Sequence, residues 1–462
     1  MGCAVASQAA IIWNDDFDTD TSANYVSRNY STVSVTPDTK TYFNFDFGGA
    51  WPYDELTYTE AVAHSRAKAA IPSAPGTSST KALYFRVNED QAETTSVEIA
   101  WVHPKDLYIF GDYTATWDMW YETTTSGTST QGSLYGLEWR GPKIWSQELT
   151  GPGYQFSVIG DGSSSQDYRC YKGSFTQLGS LGNGGWGASV GTGGTGSQPF
   201  QNNNNSWYNT YFTVASGSYI AGTPSGQWTK VELKRNGSNI SHKLFKTGDT
   251  TGLLINSIND DAYYGGVPML GMWDPAGSPR PSNQPIFCLY DNFQIDGTLG
   301  ALVTGKWTPG ELYDITLPES RFKFPQAATA TIVDGDGTTV LGKSSLYFVD
   351  AEGNYELVVP ANKQGFICFK YSNWLSKKVA FDTTGGNQTG LDFTSLNGDC
   401  NGDDFITTDD YLIISEHFDT FFDPLDPNNG FDARGDLNYE GNITTDDYLI
   451  LSNNFDLAGD CS

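Results

Sequence analysis

Two stretches of this 462-residue sequence carry oxygen donors at matched intervals. GDCNGDDFITTDDYLIISEHF at 398–418 returns as GDLNYEGNITTDDYLILSNNF at 435–455, with one offset of 37 residues throughout. In the first copy Asp399, Asn401 and Asp403 take positions 1, 3 and 5 of a loop. Phe405 offers its main-chain carbonyl at position 7, Thr407 stands at 9 and Asp410 at 12. The second copy places Asp436, Asn438, Glu440, Asn442, Thr444 and Asp447 at the same positions. Calcium takes about six to eight hard oxygens at roughly 2.3–2.6 Å, and this spacing wraps them round one ion per loop. Two Ca2+ ions are therefore the expected cofactors. Residues 396–462 hold 16 acidic residues against Arg434 alone, a concentration of like charge that calls for cations. Ile406 and Ile443, at position 8, can pair as a short bridge between the loops. After each loop, Tyr, Leu, Ile and Phe recur at helical spacing, so an amphipathic helix follows each.

The elements before the repeat are of another kind. Between 13 and 297, short alternating runs recur: YTATWDMWYETTT at 113–125, YQFSVIG at 154–160, WTKVELKR at 228–235 and FCLYDNFQID at 287–296. Gly, Ser, Asn or Pro bounds each, which predicts one large antiparallel jelly-roll sandwich. The Gly-, Ser-, Gln- and Asn-rich segment 173–206 reads as a long surface loop. Residues 298–395 hold ATATIVD, SSLYFVD, NYELVVP and FICFKYS between turn signals, which predicts a second, small β-sandwich. The class is mainly β, with 396–462 expected as an all-α module of paired loop–helix units. Residues 1–12, MGCAVASQAAII, read as the remnant of a secretory signal ending near Ser7–Ala10, as an apolar N-terminal strand, or as a segment lipid-modified at Cys3.

Composition narrows the function. The formal net charge of −28 opposes a nucleic-acid or anionic-membrane partner, and no apolar run is long enough to span a bilayer. Six cysteines without a CxxC pattern argue against zinc. A jelly-roll glycosidase needs two carboxylates on one face. Asp118 and Glu122 point to one side of their strand, and Glu138 is another candidate. No E-x-D-x-x-E strand, G-x-S-x-G or H-E-x-x-H is present, so the chain reads as non-catalytic, with a polysaccharide-degrading enzyme as the minor alternative.

The repeat resembles type I dockerins, whose two calcium loops each end in Asp and are each followed by one helix. Asp410 and Asp447 match that feature. Asp404 departs from it where glycine is usual at position 6, and Glu440 is longer than usual at position 5. The resemblance implies two calcium ions and docking to a cohesin-like domain or a neighbouring subunit. It also implies loop–helix units packed about a pseudo-twofold, which would bring Cys400 and Cys461 together as a disulfide. The alternative is two free thiols, since position 2 of the first loop, Cys400, is expected to face solvent and to tolerate many residues. Cys170, Cys288 and Cys368 sit in strand-like runs and are expected unpaired, with 170–288 as an alternative bridge. A small sandwich containing DAEGNYELVVP followed by such a repeat resembles an arrangement in large secreted proteins of planctomycete-type bacteria. NDDFD at 14–18, GDYTATWDMWYE, GYQFSVIGDGSSSQDYRCYKG and FCLYDNFQID resemble their concanavalin-like, laminin-G-like jelly rolls. First and last strands of such jelly rolls are commonly neighbours, which makes Asp15 or Asp16 with Asp291 a candidate third cation site.

Two functional classes share these features. In one, the chain is a secreted or cell-surface calcium-binding protein whose jelly roll binds polysaccharide. Trp51, Trp186 and Trp207, in polar or Gly-rich contexts, are then the candidate platforms on which sugar rings stack. In the other, it is the calcium-stabilised subunit of an extracellular filament or surface layer, a homopolymer joined through edge strands.

Overall fold

Alternation builds the sheets. In Trp228–Asn236, Val231, Leu233 and Arg235 are buried while Lys230 and Lys234 are exposed, the period-2 pattern of a strand covered on one face. The computed structural model describes residues 10–31, 39–48, 71–88, 98–123, 131–139, 153–159, 168–172, 206–213, 221–259, 265–274, 286–311, 328–350, 352–426 and 428–461. It is mainly β, with antiparallel, sandwich-like sheets, and divides into two units. The first takes residues 1–261 and 266–299, the second 262–265 and 300–462.

In the first unit one ladder runs through Thr39–Asp46, Lys81–Val87, Phe287–Pro309, Tyr108–Glu122, Trp228–Asn236, Asn239–Lys246 and Leu253–Asn259. Ala10–Asp15 pairs along Phe287–Pro309, with Asp15 opposite Phe293. A second ladder joins Tyr25–Ser31, Glu98–Pro104, Gly265–Asp274, Gly132–Trp139, Tyr154–Ile159 and Tyr168–Lys172. Aromatic rings fill the space between them. Trp117 meets Tyr135 edge-on at 5.1 Å and Phe293 at 6.0 Å. His242 is wholly buried in this core. Its Nε2 lies 2.9 Å from the Tyr135 hydroxyl, and its ring packs on Phe156.

The second unit contains a four-stranded antiparallel sheet of Val340–Ser345, Thr329–Asp334, Gln364–Tyr371 and Trp374–Asp382. Residues 300–306 pair with Asn354–Pro360, and 307–309 pair in parallel with Phe393–Ser395. Trp307, Tyr355, Phe369, Trp374 and Phe393 form the aromatic centre, with Phe369 stacked on Phe393 at 4.1 Å. The repeat belongs to this same unit. It is not all-α. Its helices, Thr408–Glu416 and Thr445–Asn453, are nine residues each, and the remainder is turns and isolated bridges. Loops that spend their backbone on wrapping side-chain oxygens leave little chain for helix. No helix of the described residues is long and apolar enough to cross a membrane.

The disulfide differs from expectation. Cys461 bonds Cys368, on Gln364–Tyr371 of the sheet, with Cα atoms 6.0 Å apart. Cys400 is a buried free thiol. The repeat explains why: Cys400 is the counterpart of Leu437, and both sit in one apolar cluster with Leu375, Ile406, Ile414, Ile443 and Leu451. Position 2 faces the core, not solvent, so its thiol fills a hydrophobic seat. Cys288 is also free and buried, as expected; the Cys170 side chain and residues 1–9 lie outside the described residues.

Two predictions follow from this packing. Burial lowers the His242 pKa from 6.5 to about 3, so the folded chain keeps it neutral while the unfolded chain protonates it below about pH 6.5. The unfolded state then binds more protons, and stability falls as pH drops from 6.5 towards 3, on the order of 1 kcal/mol per pH unit from this group. Melting temperatures measured from pH 7 to pH 5 should fall less steeply for His242→Gln; identical slopes would contradict the account. A non-reducing peptide map should join the Cys368 and Cys461 peptides, and Cys368→Ser should destabilise the second unit by about 3–5 kcal/mol for so long a closed loop. A Cys400–Cys461 peptide would overturn that assignment.

Candidate metal centre

Each helix of the repeat starts on a capping box that is also the end of a loop. The Thr407 hydroxyl accepts from the Asp409 amide, and the Asp410 carboxylate accepts from the Thr407 amide at 2.8 Å. Thr444 and Asp447 repeat this arrangement, again at 2.8 Å. The position-12 carboxylates are thus fixed by their own helices. Their other oxygens reach back across the loops. Asp410 accepts from the Asn401 amide at 3.1 Å, and Asp447 from the Leu437 and Asn438 amides at 2.7 and 3.3 Å. At position 1, Asp399 accepts from Gly402 and Asp404, and Asp436 from Gly441. Asp403 accepts from the Phe405 amide at 2.9 Å.

Four of these carboxylates are almost solvent-free: Asp399, Asp410 and Asp447 at 0% and Asp436 at 1% exposure. Asn438 is buried, Thr407, Glu440 and Thr444 are half-buried, and Asn401, Asp403, Phe405 and Asn442 are exposed. Burial raises the Asp410 pKa, aided by the charges of Asp399 and Asp403. Burial pushes Asp447 up to about 6, with Glu440 adding repulsion. Among the described residues no group of three or more His, Cys, Asp or Glu side chains is gathered as a metal cluster. The donors of each loop are instead a mixture of carboxylate, amide, hydroxyl and main-chain oxygens. That all-oxygen set is the chemistry of calcium rather than of zinc or copper.

The two copies obey a twofold at the level of single hydrogen bonds. Asp456 donates to the Ile406 carbonyl and Ile406 to that of Leu457; 37 residues earlier or later, Asp419 donates to Ile443 and Ile443 to Thr420. Ile406 and Ile443 therefore do not bridge each other. Each pairs with the chain leaving the opposite copy's helix, while both side chains enter the shared core. Tyr411 meets its own counterpart Tyr448 edge-on at 6.0 Å.

The small sandwich grips the first loop through residues that sequence reading missed. Asp404, at φ +75°, accepts from the Ser376 amide at 2.6 Å and the Ser376 hydroxyl at 2.5 Å. Cys461 in turn donates its amide to the Ser376 hydroxyl at 3.0 Å. Lys370 places its ammonium 2.5 Å from Asp399 and 3.7 Å from Asp404. The second loop is held by Tyr439 stacked on Trp374 at 5.6 Å and by Asn397 donating to the Leu437 carbonyl at 2.6 Å. The one hint in the sequence was Asp404 itself, an L-residue in a left-handed seat where glycine is cheaper.

In the first unit, Asp15 accepts from the Phe17 amide and Asp16 from the Asp18 amide, while burial first, then the charges of Asp118, Asp18 and Asp16, pushes the Asp291 pKa up to about 7. Asp118 and Glu122 share a buried face, but four strand residues put them about 13 Å apart, beyond a glycosidase pair. Asn292 donates to Asp118 at 2.8 Å, and the Trp120 indole to Glu122 at 3.0 Å. The Glu138 side chain, Trp51 and Trp186 lie outside the described residues, as does the side chain of Trp207 on the short helix Ser206–Tyr211. A polar cavity of about 650 Å³ is lined by Trp13, Asn14, Asp15, Asn24, Lys105 and Asp106, among others. Its Trp13 indole donates to the buried Tyr25 hydroxyl at 3.2 Å.

Comparison with known proteins adds partial likenesses. No protein-family model matches the chain, and no curated protein matches it. Solved structures that resemble it include a mutant type II cohesin–X-dockerin complex from Acetivibrio cellulolyticus, 18% identical, covering 34% of this chain and 97% of that one at a TM-score of 0.27. A protein of unknown function with a galectin-like fold from Bacillus subtilis is 9% identical over 63% of this chain and 96% of its own, TM-score 0.32. Carbohydrate binding module CBM66 from Bacillus subtilis is 10% identical over 46% and 86%, TM-score 0.25. The chain is thus similar in part to a dockerin-bearing complex and to galectin-like and carbohydrate-binding folds, and a functional reading rests on its own residues.

Proposed function

We propose that this chain is a secreted, calcium-stabilised, non-catalytic binding protein. The first unit takes a polysaccharide, and the repeat docks the chain onto a cohesin-like or neighbouring protein. The observation that carries this reading is the duplicated loop, in which four nearly solvent-free carboxylates end or begin oxygen-lined turns. Calcium would be held by Asp399, Asn401, Asp403, the Phe405 carbonyl, Thr407 and Asp410 in the first loop. In the second it would be held by Asp436, Asn438, Glu440, the Asn442 carbonyl, Thr444 and Asp447. It would supply the positive charge that lets these groups stay ionised while buried.

Two features support partners. Tyr411 and Leu412, with their counterparts Tyr448 and Leu449, are 40–49% exposed on the two helices, an apolar face repeated by the twofold. The polar cavity beside Trp13 combines an aromatic ring with carboxylates, an amide and a lysine, the mixture that suits a sugar's apolar face and hydroxyl rim. The filament reading draws on Ala10–Asp15, an N-terminal strand with Ile11 59% exposed.

Purified protein in calcium should remain dispersed in negative stain and be retained by an immobilised polysaccharide panel, with Trp13→Ala weakening retention about tenfold. Ordered filaments in calcium that disperse in chelator, without polysaccharide retention, would replace this reading with the subunit one.

A further inference from the structure

Asp399, which opens the first loop, is fixed at both ends by one hairpin of the small sandwich. That hairpin joins Gln364–Tyr371 to Trp374–Asp382. The Asn373 carbonyl in its turn accepts from the Gly398 and Asp399 amides, both at 2.9 Å. The Lys370 ammonium, near the end of the first strand, stands 2.5 Å from Oδ2 of Asp399. This ammonium is firmly seated: it also donates to the Trp374 carbonyl at 2.7 Å and to the Ser372 carbonyl at 3.1 Å. Asp399 itself is 0% exposed, with the Gly402 amide on Oδ1 and the Asp404 amide on Oδ2. A charge pair with one partner shut off from water is held more strongly than a surface pair.

The twofold of the repeat makes this pairing informative. Asp436 is the counterpart of Asp399. Its neighbour Gly435 donates its amide to the Asp432 carbonyl, within the repeat, at 3.0 Å. Arg434, the one lysine or arginine between 396 and 462, is engaged with Asp432 at 2.6 Å. The two loops share a residue pattern and a core. The first opens on the sandwich, with a lysine on its opening carboxylate; the second opens on the repeat's own backbone.

We propose that Lys370 is the resident counter-ion of the first loop: it holds Asp399 in the calcium-free chain and opposes a cation there, so that the loops fill in order, second before first. The calcium half of this rests on the functional reading above; the counter-ion half does not. A divalent ion arriving at Asp399 meets an ammonium already bonded to one of its oxygens, and the repulsion lowers its affinity. By reciprocity, calcium in the first loop loosens Lys370 and with it the hairpin turn. That turn touches both copies, since Asn373 also donates to the Arg434 carbonyl at 3.1 Å and Trp374 stacks on Tyr439.

Calcium titration by calorimetry and melting in chelator, both on the full chain, test this. The natural chain should bind one calcium tightly and a second about tenfold more weakly. Asp436→Asn should remove the tight step, which assigns it to the second loop. Lys370→Met should strengthen the weak step about tenfold. In chelator it should melt lower than the natural chain, because Asp399 is left buried without its charge partner. Lys370→Gln, which keeps a donor and drops the charge, should reproduce both effects and serves if the methionine variant does not fold. Two calcium ions bound with unchanged affinities in the lysine variants would overturn the competition, and unchanged melting in chelator would overturn the counter-ion role. No calcium on any of these chains would instead overturn the calcium reading of the repeat, leaving the melting to decide whether Lys370 holds Asp399.

Discussion

The constraint on which the second unit depends is the burial of negative charge. Asp399, Asp410, Asp436 and Asp447 lie at or near zero exposure in a segment that carries 16 acidic residues and one arginine. Main-chain amides satisfy much of their hydrogen-bonding capacity, but amides carry no net charge. An unpaired ionised carboxylate in a protein interior costs several kcal/mol after relaxation, so the fold either protonates these groups or recruits cations. Lys370 brings one ammonium to the first loop. The proposed calcium ions would supply the rest.

Everything else in the unit is arranged so that the loops keep their shape. The capping boxes make the last carboxylate of each loop the first anchor of each helix. The twofold places Ile406, Ile443, Ile414, Leu451, Cys400 and Leu437 in one apolar cluster, so neither half has a core without the other. The sandwich then enters at Ser376, which receives Asp404 from the first loop and supports the backbone of Cys461, while Cys461 is bonded to Cys368. The terminal segment, the first loop and the sheet are therefore one mechanical piece. A glycine at 404 would have eased the backbone but offered nothing to Ser376.

Much of this could be read from residues alone, and the limits are physical. The repeat was legible because both copies use the same residue types at the same spacing, and the strands of Trp228–Asn236 and Gln364–Tyr371 were legible from alternation. The partner of Cys461 was not, because Cys368 lies 93 residues away and the two meet only when the module is packed on the sheet. Cys400 was misjudged for want of one comparison: its counterpart is Leu437, and a leucine at position 2 marks a core seat. The expected Ile406–Ile443 bridge failed because a twofold pairs each loop with the opposite exit segment, not with its equivalent. All-α was the wrong label for a module whose chain is mostly invested in loops.

The central claim is that cations hold the buried carboxylates of 398–455 in place. Hydrogen exchange of the full chain, in calcium and in chelator, addresses it at the amides that bond those groups: Asn401, Thr407, Leu437 and Thr444. The account predicts strong protection of these amides in calcium and its loss in chelator, while Tyr154–Ile159 and Trp228–Asn236 of the first unit keep theirs. Equal protection of the four amides with and without calcium would contradict it.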